Sequence, residues 1–308
     1  MRTALVLAAI AAFAADSGVS VIHFGRGFGS DSLPAFDKGY LFFLSQRHGR
    51  VSVYKPGGSR AFDAVVLDPR GAAASLSSAA ADGRGGVAVS AGFVTDRGYA
   101  GMIVFLDASG KQERIVLTGN YMPSHICFDA AGALWTFGWQ RDAEDNVRPD
   151  RRDYPMVRRF ARDGKQTGAF LPRSLFPADA DPFEPSFGLW RVRAGTDRVG
   201  GIAYLGRADH EPEWVELDSK GRLIGRWKLG SKLFDGGHAY ASNGRLFART
   251  YQNPGQIVLE FDKSADRWVP ARLATRVNEE LGVLLGADGD RLVFADPGGF
   301  RLISVAVR

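Results

Sequence analysis

One short phrase recurs along this chain and constrains its fold more than any other feature: an apolar pair, Asp or a small residue, a Gly turn, then an apolar strand. It reads Phe36-Asp37-Lys38-Gly39-Tyr40-Leu41-Phe42, then Ala81-Asp82-Gly83-Arg84-Gly85-Gly86-Val87, then Phe128-Asp129-Ala130-Ala131-Gly132-Ala133-Leu134-Trp135. A degenerate copy, Ala194-Gly195-Thr196-Asp197-Arg198-Val199, precedes Ala241-Ser242-Asn243-Gly244-Arg245-Leu246-Phe247 and Ala287-Asp288-Gly289-Asp290-Arg291-Leu292-Val293. With positions 37, 82, 129, 197, 243 and 288 as markers, the steps are 45, 47, 68, 46 and 45. The long step carries charged and Pro-rich insertions near 141–155 and 176–187. A second phrase lies between the markers, as in Val104-Phe105-Leu106-Asp107-Ala108-Ser109-Gly110-Lys111 and Glu216-Leu217-Asp218-Ser219-Lys220-Gly221-Arg222. Asp and Gly suit these positions because tight turns need a positive φ or an Asx hydrogen bond. Each unit thus carries two hairpins and four strands, and four-stranded units at this period are propeller blades.

The expected fold is all-β: a six-bladed β-propeller of four-stranded antiparallel blades over residues 19–308. A helical reading fails because Gly interrupts almost every apolar run. A two-sheet sandwich would use the same strands without requiring a regular period. After Asp288 the last unit has room for strands near Leu292–Ala295 and Leu302–Val305, and its outermost strand is missing. Val19-Ser20-Val21-Ile22-His23-Phe24 reads as a strand ahead of the first unit. It is expected to complete the last blade, with residues 19–24 beside 301–307, which removes an open sheet edge.

Residues 1–15 have the character of a secretory signal: Arg2, an apolar run from Ala4 to Ala14, and the small-x-small pattern Ala12-Phe13-Ala14. That run is shorter than the 20 or so residues a bilayer span needs, so no membrane span is expected and a secreted or periplasmic protein is. The single cysteine, Cys127, excludes an internal disulfide and lies in an apolar stretch that reads as core. The formal charge of +5 is dispersed and mixed in sign, which argues against a nucleic-acid partner. A monomer is expected. No nucleophile elbow, phosphate loop, zinc-protease helix or CxxC occurs.

The run from Leu292 to Val305, Leu-Val-Phe-Ala-Asp-Pro-Gly-Gly-Phe-Arg-Leu-Ile-Ser-Val, resembles the signature of the NHL-repeat propellers. Leu41 to Tyr54 is a looser match, and Pro123-Ser124-His125-Ile126-Cys127-Phe128-Asp129 is similar to the start of another repeat. The resemblance implies blades and no particular chemistry.

With strands A to D running from the axis outward, the A–B and C–D turns share one face, and the B–C loops and D–A connections share the other. The second face is the irregular one, where a site is expected. Ligand-binding candidates there are Tyr121, Arg141, Arg152, Tyr154, Glu184 and Asn278. His125, Glu184, His238 and Glu279 are expected just before four inner strands, where imidazoles and carboxylates suit a divalent metal such as zinc or calcium. The peptide-amidating lyases, which are similar propellers, use axial histidines for zinc; His125 and His238 match two such places and Asp31 stands at a third. Lactonase-type propellers use acidic and amide residues around calcium, for which Glu184 and Asn278 are the counterparts. The favoured reading is a binding module for a protein, peptide or carbohydrate. The alternative is a metal-dependent lyase or lactonase.

Overall fold

The repeated Asp and Gly do the local work that the sequence assigns to them. In the turn after Leu106, Asp107 N donates to Lys111 O (3.0 Å) and Gly110 N donates to Asp107 O (3.0 Å). Asp107 Oδ1 accepts from the backbone N of Ser109 (2.8 Å) and of Lys111 (2.9 Å). Gly110 sits at φ +87°, a conformation that a side chain resists. The turn after Phe128 repeats this with Asp129 and with Gly132 at φ +85°. Each such turn reverses the chain within five residues and so fixes two strands as an antiparallel pair.

The computed structural model describes residues 19–23, 33–144, 148, 150–178, 193–194, 197–203, 211–230, 238–241, 243–250, 257–274, 281–296 and 301–308. Its strands form six four-stranded antiparallel sheets arranged as a β-propeller. Blade 1 contains β2 (Leu33–Asp37), β3 (Tyr40–Ser45), β4 (Arg50–Tyr54) and β5 (Arg60–Val65). Blade 2 contains β6 (Ser75–Ala81), β7 (Val87–Thr95), β8 (Gly98–Leu106) and β9 (Gln112–Gly119). Blade 3 contains β10 (Tyr121–Phe128), β11 (Leu134–Gln140), β12 (Pro155–Phe160) and β13 (Gln166–Pro172). Blade 4 contains β14 (Arg193–Ala194), β15 (Arg198–Ala203), β16 (Glu213–Asp218) and β17 (Leu223–Lys228). Blade 5 contains β18 (His238–Tyr240), β19 (Leu246–Thr250), β20 (Ile257–Asp262) and β21 (Arg267–Pro270). Blade 6 contains β22 (Val283–Asp288), β23 (Arg291–Ala295), β24 (Arg301–Ala306) and, as its outer strand, β1 (Val19–His23).

The closure follows the expected register, from Val19 opposite Val305 to His23 opposite Arg301. Because side chains alternate along a strand, each blade buries apolar residues on both faces. In blade 3, Cys127, Trp135, Phe137 and Val157 pack toward blade 4, while Ile126, Phe128, Leu134 and Phe160 pack toward blade 2. Among the described residues every blade-to-blade interface carries such a cluster. Trp135 and Trp214 are completely buried, and truncating either to Ala costs about 3–5 kcal/mol. The C–D hairpins of blades 1 to 4 share a bulge that leaves Ala61, Glu113, Thr167 and Ile224 unpaired.

His125 departs from its expected place. It lies inside β10, opposite Phe137 and just after a bulge at Ser124, because β10 starts at Tyr121 and the D–A connection before it is Asn120 alone. Among the described residues no helix is long and apolar enough to cross a membrane.

Candidate functional site

The loop-rich end of blade 3 gathers four of the sequence candidates. It is built where three chain segments meet: Asn120 accepts from Arg141 N (2.9 Å), and Gln140 O accepts from Asp150 N (2.7 Å). The 141–154 insertion is thereby tied at both ends to the blade. Close backbone approach is possible because β8 and β11 carry glycine here. A Cβ on Gly138 would stand 2.0 Å from Met122 O, and one on Gly101 would stand 2.1 Å from Tyr121 O.

Tyr121 lies under this junction, 1% exposed. Its hydroxyl is within hydrogen-bond distance of Met156 O (2.9 Å), Thr136 O (3.1 Å) and Thr136 Oγ1 (3.0 Å). Burial pushes the phenol pKa upward. The Arg158 guanidinium stacks on the Tyr121 ring at 4.0 Å, and burial pulls its pKa down. A polar relay then runs outward. Arg158 Nη2 donates to Gln140 Oε1 (3.3 Å), and Gln140 Nε2 donates to Asp150 Oδ2 (3.1 Å). Asp150 accepts from Arg152 Nε (2.9 Å) and Nη2 (3.0 Å). Arg152 holds the Asp150 carboxyl below the usual carboxylate range, and Arg152 also faces Asp142 at 3.5 Å.

Beside this relay, the Arg141 guanidinium lies 4.9 Å from the Tyr99 ring of blade 2 and 5.2 Å from the Trp139 ring. Cation–π packing of this kind holds a charged group in place without consuming its hydrogen-bond donors. The rim is raised on the blade 2 side by the long β7–β8 hairpin, where Val94 is exposed and its carbonyl accepts from Arg70.

The sequence candidates thus separate. Arg141 and Arg152 reach the surface, while Tyr121 and Tyr154 are buried supports, Tyr154 within the apolar cluster between blades 3 and 4. His125 is partly buried in β10, and His238 is buried as the first residue of β18. Glu184, Asn278 and Glu279 lie outside the described residues, as does Asp31. Among the described residues no three His, Cys, Asp or Glu side chains form a metal-binding group.

Two features escaped sequence reasoning. Arg158 and Arg159 are successive residues of one strand, so they point to opposite faces: Arg158 lies over Tyr121 of its own blade, while Arg159 Nη1 donates to Ser219 O of blade 4 (2.7 Å); their adjacency was the available signal. The other feature is a cleft of about 620 Å³ on the hairpin face between blades 2 and 3, lined by Lys38, Asp82, Arg114, Phe128, Asp129 and Arg162 among others. Arg162 Nη2 pairs with Asp82 Oδ2 across it (2.8 Å), and Lys38 Nζ donates to Asp129 O (3.4 Å). These residues read as ordinary turn charges until the ring brings them together.

No protein-family model matches the chain, and no curated protein matches it by sequence. Solved structures do. A luciferin-regenerating enzyme superposes with a TM-score of 0.51 at 15% identity, over 94% of this chain and 97% of that one. A protein from Bacteroides fragilis NCTC 9343, named as a predicted exported protein, superposes with a TM-score of 0.52 at 13% identity, over 96% of each chain. At such low identity the likeness establishes the six-bladed propeller fold alone.

Proposed function

We propose that this chain is an exported propeller of the NHL-repeat type that binds a protein, peptide or carbohydrate at the loop-rich end of blades 2 and 3. The observation that carries the binding reading is the relay from Arg152 through Asp150 and Gln140 to Arg158. It anchors an exposed, charged insertion to the buried face of a blade, and a binding loop gains affinity when its ordering cost has been met before the ligand arrives. The NHL-type reading is supported by the Leu292–Val305 phrase, which spans β23 and β24. Export is supported by the signal character of residues 1–15 and agrees with the naming of the Bacteroides fragilis protein.

The test replaces residues 142–149 with a short Gly-Ser linker and screens both proteins by thermal shift against peptides and oligosaccharides. Ligands that stabilise the natural protein are expected to lose their effect on the variant. Ligands that stabilise both equally would remove this face from the account. The lyase or lactonase reading rests on His125, Glu184, His238 and Glu279, of which His125 and His238 lie on inner strands of blades 3 and 5 and the two acids lie outside the described residues.

A further inference from the structure

Several arginines of the blades, Arg158, Arg159, Arg226, Arg245 and Arg249 among them, pack against aromatic rings, and Arg226 and Arg245 each have a carboxylate partner as well. Arg226 packs on Phe176 at 4.5 Å and pairs with Glu213 at 2.6 Å. Arg245 packs on Phe247 at 5.1 Å and pairs with Glu260 at 2.6 Å. Arg158 packs closer than any of these, at 4.0 Å on Tyr121, yet among the described residues it has no carboxylate partner. Among the described residues its side chain makes one hydrogen bond, to Gln140 Oε1, long at 3.3 Å, and its buried Nε has no acceptor. The nearest carboxylate along the relay, Asp150, is turned away and chelated by Arg152.

A guanidinium removed from water without an anion is costly to keep, and Arg presents a planar fork that a carboxylate fills with two hydrogen bonds. Arg158 retains part of its surface toward solvent, so an anion can approach it from the rim. At that rim Arg141 presents a second guanidinium, framed by Tyr99 and Trp139. We propose that Arg158 is the anchor for a carboxylate carried by the ligand, with Arg141 and its two rings contacting the flat or apolar body that bears it. This deepens the binding reading above and rests on it. A carboxylate is favoured over a phosphate because the matching sites at Arg226 and Arg245 are each filled by a single carboxylate. Arg158 is a binding residue in this account, and Gln140 positions it.

The test uses the full chain, with benzoate and acetate as carboxylate probes and inorganic phosphate as the competing anion. Saturable binding of benzoate at low ionic strength is expected by calorimetry, tighter than acetate and tighter than phosphate. Arg158→Met is expected to weaken benzoate at least tenfold, and Arg158→Lys to fall between. In the absence of any probe, Arg158→Met is expected to melt at or above the natural protein's temperature, since it removes an uncompensated charge. A marked loss of melting temperature in Arg158→Met would make the arginine structural and overturn the proposal. So would benzoate binding that is absent or unchanged by that substitution, or phosphate that binds more tightly. If benzoate fails while hits from the peptide and sugar screen still depend on residues 142–149, only the carboxylate anchor falls. If those hits survive loss of the insertion, the face itself is wrong.

Discussion

Replacing Lys263 by Met should destabilise the ring through the interface between blades 4 and 5. Glu216 is wholly buried in β16. Its Oε1 accepts from Trp214 Nε1 (2.6 Å) and from Lys263 Nζ, while Oε2 faces Arg198 Nη1 at 3.5 Å. Lys263 comes from the C–D turn of blade 5, also donates to Gly244 O (2.6 Å), and lies between the rings of Trp227 and Tyr240. Its burial pulls the ammonium pKa down, against the opposing pull of Glu216. Removing the ammonium breaks a buried ion pair and leaves the carboxylate with Arg198 at 3.5 Å as its remaining cation, a loss of roughly 3–5 kcal/mol. With about 2.1 cal/mol/K per residue over 308 residues, each kcal/mol shifts the melting temperature by roughly 1.5 °C, so the drop is about 5–8 °C. Glu216→Gln/Lys263→Met should recover most of it, because a neutral amide still accepts from Trp214 and needs no counter-ion. The assay is a double-mutant cycle by calorimetry and denaturant unfolding. A cost below about 1 kcal/mol for Lys263→Met, or a double variant whose loss is the sum of the two singles, would refute the reasoning.

Two further outcomes follow from the turns and from the histidines. Asp107 and Asp262 are held below the usual carboxylate pKa chiefly by the hydroxyls of Ser109 and Ser264, and Asp218 by the backbone N–H of Arg222. Their stabilisation is therefore complete above the unfolded value of about 3.9 and is lost as pH falls through the lower folded values. A triple Asp→Asn variant, which keeps the Asx turns, should lose less melting temperature between about pH 5 and pH 2 than the natural protein; parallel curves would contradict this. The binding reading also predicts that elemental analysis finds the same zinc and calcium content in the natural protein and in His125→Ala/His238→Ala. A stoichiometric metal abolished by that double change would favour the lyase or lactonase reading.

The period was legible because turn chemistry is local: Asp129 and Gly132 carry their reason within five residues of sequence. The closure was legible for a similar reason, since a blade short of one strand needs an edge partner and only Val19–His23 was left over. The candidate site was legible only in part. The insertion announces itself by breaking the period, so Arg141 and Arg152 could be singled out. Tyr121 was placed in a loop because the sequence gives no boundary between Asn120 and a strand whose first four residues are all buried. Glu216 is a single carboxylate within the apolar run Trp214-Val215-Glu216-Leu217, and its partner Lys263 is 47 residues away in another blade. The Arg162–Asp82 bridge across the hairpin-face cleft was hidden in the same way, whereas Arg158 meets Tyr121 and Gln140 of its own blade. Contacts between blades join residues whose types are ordinary on a surface, and only the ring makes them neighbours.

That ring is the premise for every shared face described above, and amide hydrogen exchange at β24 tests it most directly. Successive amides of β24 alternate between β23 on one side and β1 on the other. A ring closed by the N-terminal strand predicts that both sets are protected to a similar degree, within about tenfold of each other. Protection confined to the amides facing β23, with those facing β1 exchanging at the rate of an open loop, would contradict it.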